Sequence, residues 1–154
     1  MSAVKTWQLF VDGASRGNPG PAGAGAHLLK QDQLVAQRGY YLGQKTNNEA
    51  EYLALLIGMF MLKKRAASHD KVHVFSDSLL LIRQMSGQYR VRKPELQRLH
   101  ALVVEHSNMY ECTFEHVYRE DNTQADALAN LGIDKKTSLP LSFISLLRTH
   151  EIHI

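Results

Sequence analysis

A chain of 154 residues with 44% apolar content and a formal charge of +3 is long enough to bury one core, which excludes a disordered chain. Its single cysteine, Cys112, excludes an intramolecular disulfide and fits a core position in a protein of a reducing, cytoplasmic compartment. The N-terminus lacks the basic start and long apolar run of a signal peptide, and YLALLIGMFML is too short to span a bilayer, so no membrane association is expected.

The run VKTWQLFV is rich in β-branched and aromatic residues and predicts a strand. GAGAHLLKQ and QLVAQRGYYLG predict two more, joined by a polar turn near Gln31–Gln33, which together suggest an antiparallel meander. The period then changes. From Asn47 to about Ala67, Ala50, Leu53, Ala54, Ile57 and Met61 recur on one helical face, and TNNE opens the helix as a capping box. KVHVFSD predicts a fourth strand and SLLLIRQMSG a short helix ended by Gly87. KPELQRLHALVVEHS predicts a longer helix with Pro94 in its first turn. YECTFEHVYR predicts the fifth strand, and DNTQADALANLG a capped helix stopping at Gly132. The order βββ-α-β-α-α-β-α implies a mixed sheet with helices packed on it, the fourth strand parallel to one of the first three. The remaining KKTSLPLSFISLLRTHEIHI is apolar enough to dock on the body or to meet a partner.

Four carboxylates stand in positions that invite chemistry. Asp12 and Asp77 each end an apolar strand, where ligands bind in open α/β sheets. Each also has an ordinary reading, Asp12 as part of an Asp-Gly turn and Asp77, with Ser76 or Ser78, as a helix cap. Glu51 heads the row Leu55, Gly58, Leu62, an apolar line on which an unpaired carboxylate is rare. Asp126 lies in the first turns of the last helix, where the dipole alone would favour it. Converging at one sheet edge, the four would repel one another and need divalent cations. All-oxygen ligation suits Mg²⁺ or Mn²⁺ rather than zinc.

The segments DGASRGNPGPAG, TNNEAEYLALL, FSDSLLLI and REDNTQADALAN, in that order, resemble the motifs of type 1 ribonuclease H. The matches run from about Trp7 to Gly132, most of the chain. The resemblance implies an α/β, ribonuclease H-like fold: a five-stranded mixed sheet, antiparallel through its first three strands and parallel at the fourth and fifth, with helices on both faces. It implies a ribonuclease H domain over residues 1–132, followed by a tail over 133–154 docked on it. It also implies hydrolysis of the RNA strand of an RNA/DNA hybrid with two Mg²⁺ ions, Mn²⁺ being a possible substitute, to give 5′-phosphate and 3′-hydroxyl ends. A small-molecule cofactor is not expected, and the chain is expected to be a monomer.

By the same resemblance, Asp12, Glu51, Asp77 and Asp126 occupy the positions of the metal-binding catalytic acids. Gly13, Ser15, Asn18, Asn47 and Asn48 match residues that straddle the minor groove, where the RNA 2′-hydroxyl is read. Thr46, with Lys45 beside it, matches a pocket for a DNA phosphate. The asparagines would also serve as helix caps. The chain departs from the family pattern in two places. EHVYREDN is too short to carry the flexible loop whose histidine aids many members; His116 falls inside the strand, and Arg119 resembles the arginine of short-loop relatives. An arginine cannot act as a base at neutral pH, so its role would be electrostatic. SGQYRVRKPELQ joins two helices directly, with only Arg90, Arg92 and Lys93 in place of a basic protrusion, which implies few phosphate contacts. The glycines after Asp12 are expected to leave room for a duplex beside that carboxylate. The segment is not a phosphate-binding P-loop, which would lead into a helix and carry Gly-Lys-Ser/Thr. A nucleic-acid-binding subunit without catalysis is the competing reading, and retention of all four acids argues against it.

Overall fold

The computed structural model describes residues 3–154. Its strands are β1 (Thr6–Ser15), β2 (Gly20–Lys30), β3 (Gln33–Lys45), β4 (Lys71–Ser76) and β5 (Glu111–His116). They form one sheet in the order β3-β2-β1-β4-β5. β1 pairs antiparallel with β2, and β2 with β3, while β4 runs parallel to β1 and β5 parallel to β4. The expected meander and the expected parallel crossover are both present.

Alternation along β1 explains the layering. Trp7, Leu9 and Val11 are buried on one face, beneath α1 (Asn47–Lys63). Helix α1 crosses β1 closely because Gly58 has no Cβ, which would lie 2.6 Å from a Leu9 methyl carbon. Beyond α1 the chain forms α2 (Leu79–Met85) and α3 (Pro94–Ser107), whose Leu96, Leu99, Leu102 and Val103 extend the same core. Helix α1 ends at Lys63 rather than near Ala67, because the chain must turn back into β4. The N–H groups of Arg65 and Ala66 bond to Leu62 O, and that of Ala67 to the Asp70 carboxylate.

The opposite face carries α4 (Thr123–Lys135). Here the glycines have a different use from the one expected. A Cβ on Gly23, Gly25 or Gly39 would come within 2.2, 2.1 and 2.1 Å of carbonyl oxygens of α4, and one on Gly132 within 2.6 Å of the Tyr40 backbone. These glycines seat a helix flat against the sheet, so Gly23 and Gly25 of the GPAGAG run that opens β2 serve helix packing, while Gly20 closes the turn on Arg16 and Gly17. Gly132 therefore lies inside α4, which runs on to Lys135 and ends at a left-handed Lys136, φ 48°. The expected stop at Gly132 fails because that glycine is selected by a close approach rather than by a turn.

The tail contains a helix that periodicity did not reveal, α5 (Leu141–Thr149). Its Phe143 and Leu147 are buried in the core shared by α1 and α3, with the Phe143 ring 5.4 Å from that of Phe60. Cys112 is half-buried and packs against the edge of that core.

Candidate active site

The site forms where β1 and β4, neighbours in the sheet, part after the Phe10–Phe75 pair; β1 does not end at Asp12 as expected but runs on to Ser15, because it stays paired with β2. Asp12 is the seventh residue of β1, and Asp77 follows the last residue of β4. The parallel pairing of Phe10 with Phe75 puts the two aspartates at the same end of the sheet. Glu51 joins them from the first turn of α1. The start of α1 is held by a complete capping box: Thr46 Oγ1 accepts from Glu49 N–H at 3.2 Å, and Glu49 Oε1 accepts from Thr46 N–H at 3.0 Å. Its second brace is Asn18, whose Oδ1 accepts from Asn47 N–H at 3.0 Å. Gly13 completes the approach, donating its N–H to Glu51 Oε1 at 3.2 Å.

Oxygen atoms of Asp12, Glu51 and Asp77 all lie within 4.8 Å of one another. Burial pushes the Asp12 carboxyl far above the ordinary carboxylate range, and the charges of Glu51 and Asp77 raise it further. Glu51 is raised by burial first and then by Asp77. Glu51 Oε2 is buried without a hydrogen-bond partner among the described residues. A buried orphan oxygen among three mutually repelling carboxylates fits a divalent cation that prefers oxygen ligands, and the donor set holds neither sulfur nor imidazole.

Asp126 completes the group from α4, beside Asp12, and adds to the upward push on its carboxyl. It contributes no oxygen to the three-carboxylate cluster. Arg119 lies in a one-turn 3₁₀ segment, Arg119–Asp121, and its Nε stands 3.9 Å from Asp77 Oδ2. Its side chain is 86% exposed.

These residues line a cleft of about 510 Å³ together with Gly13, Ser15, Asn47 and Asn48. His116, the last residue of β5, lines it too, and its ring meets that of Tyr118 edge-on at 5.8 Å. Asn18 and Thr46 are not among the residues that line the cleft; both bond to the start of α1. Ser15 Oγ donates to Lys45 O at 2.8 Å, and Lys45 Nζ to His153 O at 2.7 Å, which ties the edge of the site to the C-terminal segment.

Asn122 escaped the sequence reading, where an amide ahead of a helix looks like a cap. It makes no side-chain cap bond. It is buried, and its Nδ2 donates to Val11 O at 2.9 Å, pinning the start of α4 beside Asp12. Ser78, not Asp77, caps α2, accepting from Leu81 N–H at 3.2 Å, so the Asp77 carboxylate is left for the cleft.

Comparison with known proteins covers the same stretch of chain. The family described as "Reverse transcriptase-like" matches residues 10–132. A bifunctional protein of Mycobacterium tuberculosis is 39% identical over 129 residues, a match that covers 82% of this chain; the chain thus spans only 35% of that relative's length. A ribonuclease H of Coxiella burnetii is 33% identical over 142 residues, covering 82% of this chain and 89% of its own. Among solved structures, LC11 ribonuclease H1 in complex with an RNA/DNA hybrid superposes with a TM-score of 0.80 at 35% identity, over 84% of this chain and 97% of its own.

Proposed function

The chain belongs to the type 1 ribonuclease H family, and on that premise we propose that it is an endonuclease cutting the RNA strand of RNA/DNA hybrids to 5′-phosphate and 3′-hydroxyl ends. The observation that carries this reading is the gathering of Asp12, Glu51 and Asp77 within 4.8 Å at the mouth of a cleft rimmed by Asp126 and Arg119. Enzymes of this family depend on metal, and the proposed ions are two Mg²⁺, with Mn²⁺ as a substitute. Bound there, such cations would lower the pKa of an attacking water and offset charge on the departing oxygen.

The protein's own groups do the rest. Asp12, Glu51, Asp77 and Asp126 supply the negative charge that makes the site selective for divalent cations. Arg119 approaches the scissile phosphate from the solvent side and balances charge as the bond breaks. Gly13, Ser15, Asn47 and Asn48 line the approach with amides, a hydroxyl and backbone N–H groups, the donors and acceptors suited to sugar hydroxyls and base edges. Asn18 and Thr46 fix the start of α1, with Thr46 next to the proposed DNA phosphate. The reading extends to a monomer in a reducing cytoplasm, in keeping with its single cysteine. Among the described residues no helix is long and apolar enough to cross a membrane.

The test compares end-labelled RNA/DNA, RNA/RNA and DNA/DNA duplexes with Mg²⁺ or Mn²⁺, for wild type and Asp12→Asn. Cleavage of the hybrid's RNA strand by wild type alone is expected. Failure to cut the hybrid with either metal, or full activity in the variant, would overturn the reading.

A further inference from the structure

Asp126 is held differently from the other three acids. Asn130, one turn along α4, donates its Nδ2 to the Asp126 backbone oxygen at 3.0 Å and to Asp126 Oδ1 at 3.4 Å. Asn130 Oδ1 in turn accepts from Arg16 Nη2 at 3.3 Å, and Arg16 Nη1 pairs with Asp134 Oδ1 at 2.8 Å. Arg16 follows Ser15 in the connection between β1 and β2, which also holds Asn18. That connection is braced on its far side to Lys45 O and Asn47 N–H at the start of α1.

We propose that Asn130 is a positioning residue for Asp126, turning its carboxylate toward the cleft, and that Arg16 couples this hold to the loop that meets the hybrid. The loop's part in hybrid contact rests on the nuclease reading above; the hold on Asp126 does not. A short carboxylate side chain at a helix start is otherwise a free rotor, and ordering it costs entropy when a cation binds. With Oδ1 engaged by the Asn130 amide, Oδ2 is the oxygen left for the cation, and pre-orienting a ligand group in this way strengthens its site. Arg16 keeps the Asn130 amide from rotating away, since the carbonyl end is occupied by the guanidinium. Movement of the loop on binding a duplex would therefore be felt at Asp126 through two hydrogen bonds.

A structural role and a positioning role make opposite demands at residue 130. Asparagine is a poorer helix former than alanine, so Asn130→Ala, at a half-buried helix position, should leave Tm unchanged or raise it. Positioning predicts a loss instead: weaker Mn²⁺ binding by about tenfold, and a lower kcat at fixed metal with KM for the hybrid unchanged. The experiment titrates Mn²⁺ by calorimetry into the full chain without nucleic acid, for wild type, Asn130→Ala, Arg16→Ala and the double variant, with melting curves in chelator alongside. Arg16→Ala should weaken Mn²⁺ binding less than Asn130→Ala, and the double variant should be no weaker than Asn130→Ala alone. Unchanged Mn²⁺ affinity in Asn130→Ala, or a fall in its Tm, overturns the positioning role. Additive effects in the double variant overturn the coupling through Arg16. A wild type that binds Mn²⁺ yet leaves the hybrid intact overturns the nuclease reading, while the metal titration still decides the role of Asn130.

Discussion

The backbone N–H of Gly13 donates to Glu51 Oε1 at 3.2 Å, joining the end of β1 to the first turn of α1. The contact exists because position 13 has no side chain. A Cβ there would lie 2.2 Å from the Ala50 carbonyl carbon and 2.4 Å from the Glu51 nitrogen, both backbone atoms that cannot rotate aside. Gly13→Ala should thus push α1 from the sheet, costing about 3 kcal/mol or more and moving Glu51 out of the cluster. Urea unfolding and hybrid cleavage check this together, and wild-type stability in the variant would refute it.

The carboxylate cluster makes the metal-free protein pH-sensitive in a definite direction. Burial, then the charges of Glu51 and Asp77, raises the Asp12 carboxyl in the folded state. Above the ordinary carboxylate range the unfolded chain has lost a proton that the folded chain keeps, so stability falls as pH rises through that window. Asp12→Asn removes the strain. In chelator at pH 7 to 8 the variant should be more stable than wild type by about 1–2 kcal/mol, and the gap should close near pH 4. Divalent metal should stabilise wild type and shrink the difference. Equal melting temperatures for the two proteins at pH 8 without metal would count against the cluster.

Arg119 offers a separation of function from folding. Its side chain is 86% exposed and its pair with Asp77 is long, 3.9 Å, so stability should not respond to its loss. Arg119→Ala should lower kcat by about 10²-fold with Tm unchanged, and Arg119→Lys should recover part of it. Steady-state cleavage with a parallel melting curve tests this; an unaltered kcat in Arg119→Ala would remove the residue from the mechanism.

Asp70 anchors the opposite end of the sheet. Burial alone would raise its carboxyl, yet bonds from Lys5 N–H, Trp7 Nε1–H and Ala67 N–H, at 3.0, 3.0 and 2.9 Å, outweigh it and lower the pKa. A group whose folded pKa is depressed stabilises the protein above its unfolded value, about 3.9, and loses that contribution as pH falls through the folded value. Asp70→Asn turns an N–H donor toward one of those donors and should cost about 2–3 kcal/mol at pH 7. Denaturant melts from pH 7 to 2.5 should show the difference narrowing only below pH 4; a constant difference would contradict the assignment.

Much of the site was legible as residue types. Asp12 and Asp77 were marked by carboxylates at the ends of apolar strands, and Glu51 by standing at the head of a buried row. The positioning residues were not. Asn122 looks like a cap in sequence, and only the approach of α4 to β1 turns its amide to Val11 O. Asn130 looks like a surface residue, since the sequence does not reveal that Arg16 folds back over α4. The glycines of β2 were visible, but the helix that requires them begins a hundred residues later.

By itself, the order of strands and helices determined a mixed sheet, and the motif residues marked which acids are candidates, because local periodicity and side-chain chemistry are properties of short segments. Only the tertiary structure decided that Asp12, Glu51 and Asp77 meet within 4.8 Å while Asp126 is held to one side, and that the tail supplies Phe143 to the core. Those outcomes depend on contacts between residues far apart in the chain. Such contacts are fixed by how closely two backbones can approach, which no single segment specifies.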